Sequence, residues 1–168
     1  DYIYDLGVRH FQFIPVVEPT PGGTEIAQFS VTPREYGEYL IGMFDLWRAD
    51  GTPNTYVRDF DEWALRFAGF GHPSCIHRER CLDYVVVEGN GDVYTCDWTV
   101  VPEWKLENLH QKHMKKLVDT ARATDFAEEK SNLAEACVKC DYVHYCQGGC
   151  PVHRSLVASD GAPAPSYF

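Results

Sequence analysis

The distribution of cysteine constrains this chain more than any other feature. Residues 1–74 contain none, and all seven cysteines lie between positions 75 and 150 of a 168-residue chain. Their spacing says more than their number. Cys137, Cys140, Cys146 and Cys150 form C-x-x-C-x5-C-x3-C, and Gly148 and Gly149 inside that run give the backbone freedom to turn tightly around a buried group. Upstream, Cys75 and Cys81 precede a segment in which nine residues separate Cys81 from Gly91 and four separate Gly91 from Cys96. Asn90-Gly91 between the β-rich runs Asp83–Glu88 and Asp92–Tyr94 predicts a hairpin, because both residues tolerate positive φ. Such a hairpin returns Cys96 to the neighbourhood of Cys81. Close thiolates repel one another unless cations neutralise them, so short Cys spacings of this kind suit zinc or iron-sulfur clusters. Three other uses of the thiols compete: a disulfide framework, weakened by the odd count and the lack of a secretory pattern; a structural zinc site; and buried unligated thiols, which fit a lone cysteine better than this concentration.

The asymmetry in cysteine marks a boundary near Pro73, with one region over 1–72 and a second over 73–168. In the first, Val8–Glu18 is rich in β-branched and aromatic residues and reads as a buried strand that leaves through Pro19–Gly23, with Pro15 near its end. Thr32, Pro33 and Glu35 form a capping-box signature with proline at the first helical position. The apolar spacing Tyr36, Leu40, Ile41, Phe44, Trp47 then predicts an amphipathic helix ending at Gly51. A short strand at Thr55–Val57 and a helix over Phe60–Phe67 follow. Strand, helix, strand, helix is the pattern of the last units of an α/β barrel, and a whole barrel needs roughly 200 residues or more. In the second region, helical spacing returns at Leu109–Val118 and around Phe126. The fold class is therefore α+β: trailing strand and helix units, then a hairpin, helices and cysteine-rich turns.

Composition narrows the partners. Fifteen Lys and Arg against 25 Asp and Glu give a formal charge of -10, which excludes a surface that tracks nucleic-acid phosphates. No apolar run approaches the ~18 residues of a membrane-spanning helix, and the N-terminus lacks a basic region followed by a hydrophobic one, so a cytoplasmic protein is expected. The chain opens at Asp1 and runs straight into a strand-like segment, as a piece of a longer protein would.

The full pattern, Cys81-x9-Gly91-x4-Cys96, a gap, then Cys137-x-x-Cys140-x5-Cys146-x3-Cys150, resembles the SPASM signature of radical S-adenosylmethionine (SAM) enzymes. With Cys75 ahead of Cys81, and with the strings VVVEGNGDVYTCDW and CQGGC, it is most similar to anaerobic sulfatase-maturating enzymes. The resemblance implies a partial radical SAM barrel over 1–72 followed by a SPASM module over 73–168 that holds auxiliary 4Fe-4S clusters. It implies that Cys75, Cys81, Cys96 and Cys150 ligate the first cluster and Cys137, Cys140 and Cys146 the second. The family's second cluster takes one further cysteine, which would fall at or just past Phe168.

The reaction implied by the resemblance is the two-electron oxidation of a cysteine or serine in an unfolded or nascent sulfatase to formylglycine. It begins with hydrogen abstraction by the radical formed from SAM at a third 4Fe-4S cluster. That cluster's C-x-x-x-C-x-x-C loop is absent here, so this chain is expected to be inactive alone. Asp97, directly after Cys96, matches the family's proposed general base, a role for which burial and a nearby cluster could tune a carboxylate. The alternatives are another SPASM-type peptide modifier, such as one forming thioether crosslinks, or a zinc-binding interaction module. The seven histidines share no ligand spacing. Asp141 and Tyr142 could shape the surroundings of a cluster, and Tyr84, Tyr94 and Trp98 read as core or cross-strand packing.

Overall fold

The computed structural model describes residues 2–21, 25–49, 54–71, 74–156 and 162–168. The chain divides into two compact units, Asp1–Pro73 with Tyr167–Phe168, and Ser74–Ser166.

The first unit opens with helix α1, Tyr2–Asp5, and strand β1, His10–Phe11. Helix α2, Pro33–Ala49, crosses over to strand β2, Tyr56–Val57, which leads directly into helix α3, Arg58–Phe67. β1 and β2 pair in parallel, His10 opposite Tyr56 and Phe11 opposite Val57, a pairing that needs a crossover such as α2 provides. The expected capping box forms: Thr32 Oγ1 accepts the Glu35 amide at 3.3 Å, and a Glu35 carboxylate oxygen accepts the Thr32 amide at 3.0 Å. The expected end of this helix at Gly51, the Gly22–Gly23 turn and the boundary at Pro73 fall outside the described residues.

The long strand expected over Val8–Glu18 is a correction. Only His10–Phe11 pairs as a strand, while Val8, Ile14 and Val16 are exposed. Pro15 has no amide to donate, and a two-residue β2 offers no ladder beyond Phe11. The packing of the unit is aromatic instead. Phe60, buried, meets Phe44 at 5.4 Å, Trp47 at 5.5 Å and Phe13 at 6.1 Å between ring centroids. Side chains then fix the backbone around these rings: Trp47 Nε1 donates to Thr55 O at 2.8 Å and Tyr36 Oη to Phe13 O at 3.2 Å. Of the apolar face expected on α2, Ile41 lies in solvent.

The second unit is built on a three-stranded antiparallel sheet in the order β3 (Val86–Val87), β4 (Asp92–Tyr94), β5 (Lys105–Asn108). The predicted hairpin is present, with Val86 opposite Tyr94 and Val87 opposite Val93. Its turn departs from the expectation in one respect: Gly91 takes φ +86, whereas Asn90 keeps a negative φ and uses its side chain, Oδ1 accepting the Asp92 amide at 2.9 Å. A Cβ on Gly91 would stand 2.8 Å from the His110 ring, so both conformation and space demand glycine.

The helix expected over Leu109–Val118 is shorter, Met114–Val118 (α4), because the Asn108 carbonyl accepts the amides of Gln111 and Lys112 and turns the chain after β5. Helix α5, Ala121–Glu129, contains Phe126 as expected and is capped by Thr120 Oγ1, which accepts the Ala123 amide at 3.3 Å. Val93, Leu106, Leu117 and Ala123 form the core between sheet and helices. Short helices α6 (Glu135–Val138), α7 (Val143–Cys146) and α8 (Pro151–Ser155) complete the unit. The fold is the α+β arrangement expected.

Candidate metal centre

Cys75, Cys96, Cys146 and Cys150 sit where an element begins or ends. Cys75 opens a 3-10 turn, Cys75–His77, and the Cys81 amide donates to Ala127 O at 3.2 Å, tying its loop to α5. Cys96 leaves β4 after the buried Thr95 and opens the 3-10 turn Asp97–Thr99. Cys150 is the cap residue of α8, whose Pro151 follows at the first helical position.

These four thiols, far apart in sequence, are brought within electrostatic reach of one another. Burial pushes the Cys81 thiol up to about 12, with Cys150, Cys75 and Cys96 adding to the shift and Lys130 opposing it. Burial raises Cys150 and Cys96 as well. A second group forms around Cys137, which is raised by burial, is eased by Arg154, and feels Cys146 and Cys140. In that group backbone amides point at sulfur: Tyr142 N donates to Cys140 Sγ at 3.4 Å and Gly148 N to Cys146 Sγ at 3.3 Å. Tyr142 thus reaches the thiol through its main chain, with its ring in solvent.

All seven are free thiols, so the disulfide framework is not what the fold builds. Among the described residues no three Cys, His, Asp or Glu side chains meet closely enough to hold one metal ion. A tetrahedral zinc site needs its sulfurs about 2.3 Å from a single point. An iron-sulfur cluster takes its thiolates on separate iron atoms and so accepts sulfurs that face one another without meeting. The donor chemistry fits that group: thiols only, amide donors on sulfur, and the buried cations Lys130 and Arg154 beside them.

Asp97 stands on the Cys96 turn. Its Oδ1 accepts the Tyr84 hydroxyl at 2.9 Å and the Cys96 Sγ–H at 3.3 Å. Tyr84 Oη is also 3.8 Å from Cys96 Sγ. Asp97 is exposed, and its carboxylate is held in place by these hydrogen bonds rather than by packing. Tyr84, read from sequence as packing, is half-exposed and serves as that donor instead. Trp98 is 52% exposed next to it and touches His153 edge-on at 5.5 Å. The sequence reading missed Tyr84, Lys130 and Arg154.

Residues 75–141, which include Asp97 and five of the cysteines, match the SPASM family, described as an iron-sulfur cluster-binding domain. A serine-type anaerobic sulfatase-maturating enzyme of Bacteroides thetaiotaomicron is 29% identical over 183 residues, covering 100% of this chain and 44% of the relative. A cysteine-type anaerobic sulfatase-maturating enzyme of Clostridium perfringens is 30% identical over 151 residues, covering 89% of this chain and 41% of the relative. Among solved structures, native anSMEcpe with bound AdoMet superposes with a TM-score of 0.85 at 29% identity, over 99% of this chain and 46% of that one. The same protein with AdoMet and the Cp18Cys peptide gives 0.84 at 28% identity. The chain spans less than half the length of these relatives.

Proposed function

We propose, from the premise that this chain carries a SPASM iron-sulfur module and belongs with the C-terminal part of anaerobic sulfatase-maturating enzymes, that it serves the substrate side of a peptidyl oxidation. The complete protein would convert a cysteine or serine of an unfolded or nascent sulfatase to formylglycine, using SAM and a further 4Fe-4S cluster held outside this chain. Residues 1–72 would supply the end of its partial barrel and 73–168 its auxiliary cluster-binding domain.

In this reading Cys75, Cys81, Cys96 and Cys150 hold one auxiliary 4Fe-4S cluster, and Cys137, Cys140 and Cys146 contribute to a second. Bound there, such clusters supply one-electron acceptors. The chain's own residues do the rest. Once a hydrogen atom has left the substrate Cβ, the side-chain S–H or O–H must lose its proton and one electron must depart, which leaves the aldehyde from serine and, from cysteine, a thioaldehyde that water hydrolyses to formylglycine with release of hydrogen sulfide. Asp97 takes the proton. Its Oδ1 is held by Tyr84, and Oδ2, which has no hydrogen bond among the described residues, is the atom left for substrate. The observation that carries this reading is the Cys96–Asp97 step, which sets an accessible carboxylate and a thiol of the cage on one turn. A proton acceptor and an electron acceptor within one turn of each other suit a step that loses both. Seven free thiols suit a reducing compartment, and we place the reaction in the cytoplasm.

The test is anaerobic purification of the complete protein and incubation with SAM, a reductant and peptides carrying the target cysteine or serine, followed by mass spectrometry together with iron and acid-labile sulfide analysis. Formylglycine with sulfide-containing iron is the expected result. A thioether product would assign a different SPASM peptide chemistry, and tightly held zinc without sulfide would reduce the chain to a binding module.

A further inference from the structure

Two cations are buried in the second unit without carboxylate partners. Lys130, at the end of α5, is 1% exposed, and its ammonium donates to Cys75 O at 2.6 Å and Ile76 O at 2.7 Å. Arg154, in α8, is 7% exposed, and its guanidinium donates to Gly148 O and Gln147 O at 2.8 Å, to Lys130 O at 2.8 Å and to Asn132 O at 3.2 Å. Every one of these acceptors is a neutral peptide carbonyl. Among the described residues neither cation forms an ion pair with Asp or Glu.

A buried charge is strongly unfavourable unless something of opposite sign compensates it, and carbonyl dipoles compensate it only in part. The groups of potential negative charge facing these two are thiols. Lys130 faces Cys81, Cys150 and Cys75. Arg154 faces Cys137 and Cys146 of one group and Cys81 and Cys150 of the other. Its position is built: a Cβ on Gly148 would stand 2.6 Å from Arg154 Nη2, so the glycine-rich turn is shaped around the guanidinium.

We infer that Lys130 and Arg154 are the resident counter-ions of the two thiolate groups, Lys130 serving the first and Arg154 shared between both, and that their fixed charge sets how readily each site accepts an electron. The inference rests on the reading that these thiols hold iron-sulfur clusters. Thiolate-ligated clusters are anionic and become more so on reduction, so a cation locked beside them in low dielectric favours the reduced form. Both are positioning residues: they act through charge on the thiolates and touch no substrate.

The experiment is an anaerobic redox titration of the complete holoenzyme followed by electron paramagnetic resonance, with Lys130→Met, Lys130→Arg, Arg154→Gln and Arg154→Lys beside the parent protein. Lys130→Met should lower the reduction equilibrium constant of one auxiliary cluster at least tenfold, about 59 mV for one electron, and move the other less. Arg154→Gln should lower both. The charge-conserving variants should keep the parent potentials even where altered hydrogen bonding lowers thermal stability. Where a neutral variant does not assemble, its charge-conserving partner decides: a retained potential supports the inference and a tenfold fall overturns it. Neutral variants with parent potentials, or Lys and Gln at position 154 shifting alike, would show that the two residues only clamp carbonyls. A parent protein without iron and sulfide would instead remove the cluster reading itself, and this inference with it.

Discussion

The Tyr84 hydroxyl and the Asp97 carboxylate meet at 2.9 Å on the exposed side of the hairpin, and the Cys96 thiol shares the same Oδ1 at 3.3 Å. The carboxylate is therefore oriented before any substrate arrives, on an exposed residue. Asp97→Asn keeps the shape and one hydrogen-bond acceptor but cannot take a proton. General base catalysis contributes about 10²–10⁴-fold, so under the proposed function formylglycine formation by the complete protein should fall by that order while iron and sulfide stay at parent levels. Undiminished turnover would end the base assignment.

Tyr84→Phe removes the hydrogen bond and leaves the ring. A hydrogen bond to a charged group is worth about 1.5–3 kcal/mol, so roughly ten- to a hundredfold should be lost from turnover, with little change in peptide affinity. Single-turnover kinetics on peptide substrate make the separation. A loss confined to peptide binding would show that Tyr84 lines the substrate rather than orients Asp97.

Much of this was legible locally and some was not. The Thr32–Glu35 box and the Asn90-Gly91 turn are short-range signals, and each appears where the chain says it should. Strand β5 is not of that kind. Lys105–Asn108 holds one apolar residue, Leu106, and becomes a strand because β4 pairs with it through a register shift at Val93/Tyr94. The Val8–Glu18 run fails in the opposite direction, since β-rich composition forms no strand without a neighbour to pair with. Lys130 and Arg154 look like solvated charges in sequence. Their burial is a property of the assembled loops, and no periodicity announces it.

The ligand assignments separate by position. Cys96→Ala removes a half-buried thiol from the turn that follows β4, and cluster binding and folding are coupled at such sites. Iron content and thermal stability should fall together. Cys140→Ala removes an exposed thiol from the other group and should lower iron content with a smaller effect on stability. Iron quantitation beside thermal unfolding, under anaerobic conditions, checks both. Unchanged iron in Cys96→Ala would mean that the hairpin cysteine is not a ligand.

Beside the β4–β5 ladder, one carboxylate gathers side chains from the hairpin and from β5. Asp92 accepts Lys105 Nζ at 2.6 Å, Asn108 Nδ2 at 2.9 Å and Asn90 Nδ2 at 3.0 Å. The Lys105 hydrogen bond, then that of Asn108, holds the carboxyl below its ordinary value of 3.8. A depressed carboxyl stabilises the fold fully above its ordinary value and loses that contribution as pH falls through the lower folded value. Lys105 is raised above 10.5, first by the same bond, so its share is complete below 10.5 and is lost as pH rises through the higher folded value. Thermal unfolding across pH should therefore show acid sensitivity below about pH 4 that is reduced in Asp92→Asn. An identical acid limb in the variant would place the responsible carboxylates elsewhere.

The sheet that presents Cys96 rests on Leu117, which is 0% exposed and packs with Val93, Leu106 and Ala123. Leu117→Ala deletes buried methyl and methylene groups, and neighbours on helix α5 and strands β4 and β5 leave little room to collapse into the space. Such truncations cost about 2–5 kcal/mol. Because β4 runs from Val93 to the Cys96 turn in three residues, loosening of this core should also reach the thiol. The variant should unfold at lower denaturant with an unchanged denaturant slope and release iron before global unfolding. Chemical denaturation followed in parallel by circular dichroism and by cluster absorbance measures both. A circular dichroism transition that moves to lower denaturant while cluster absorbance keeps the parent profile would show that the core and the metal centre are energetically separate.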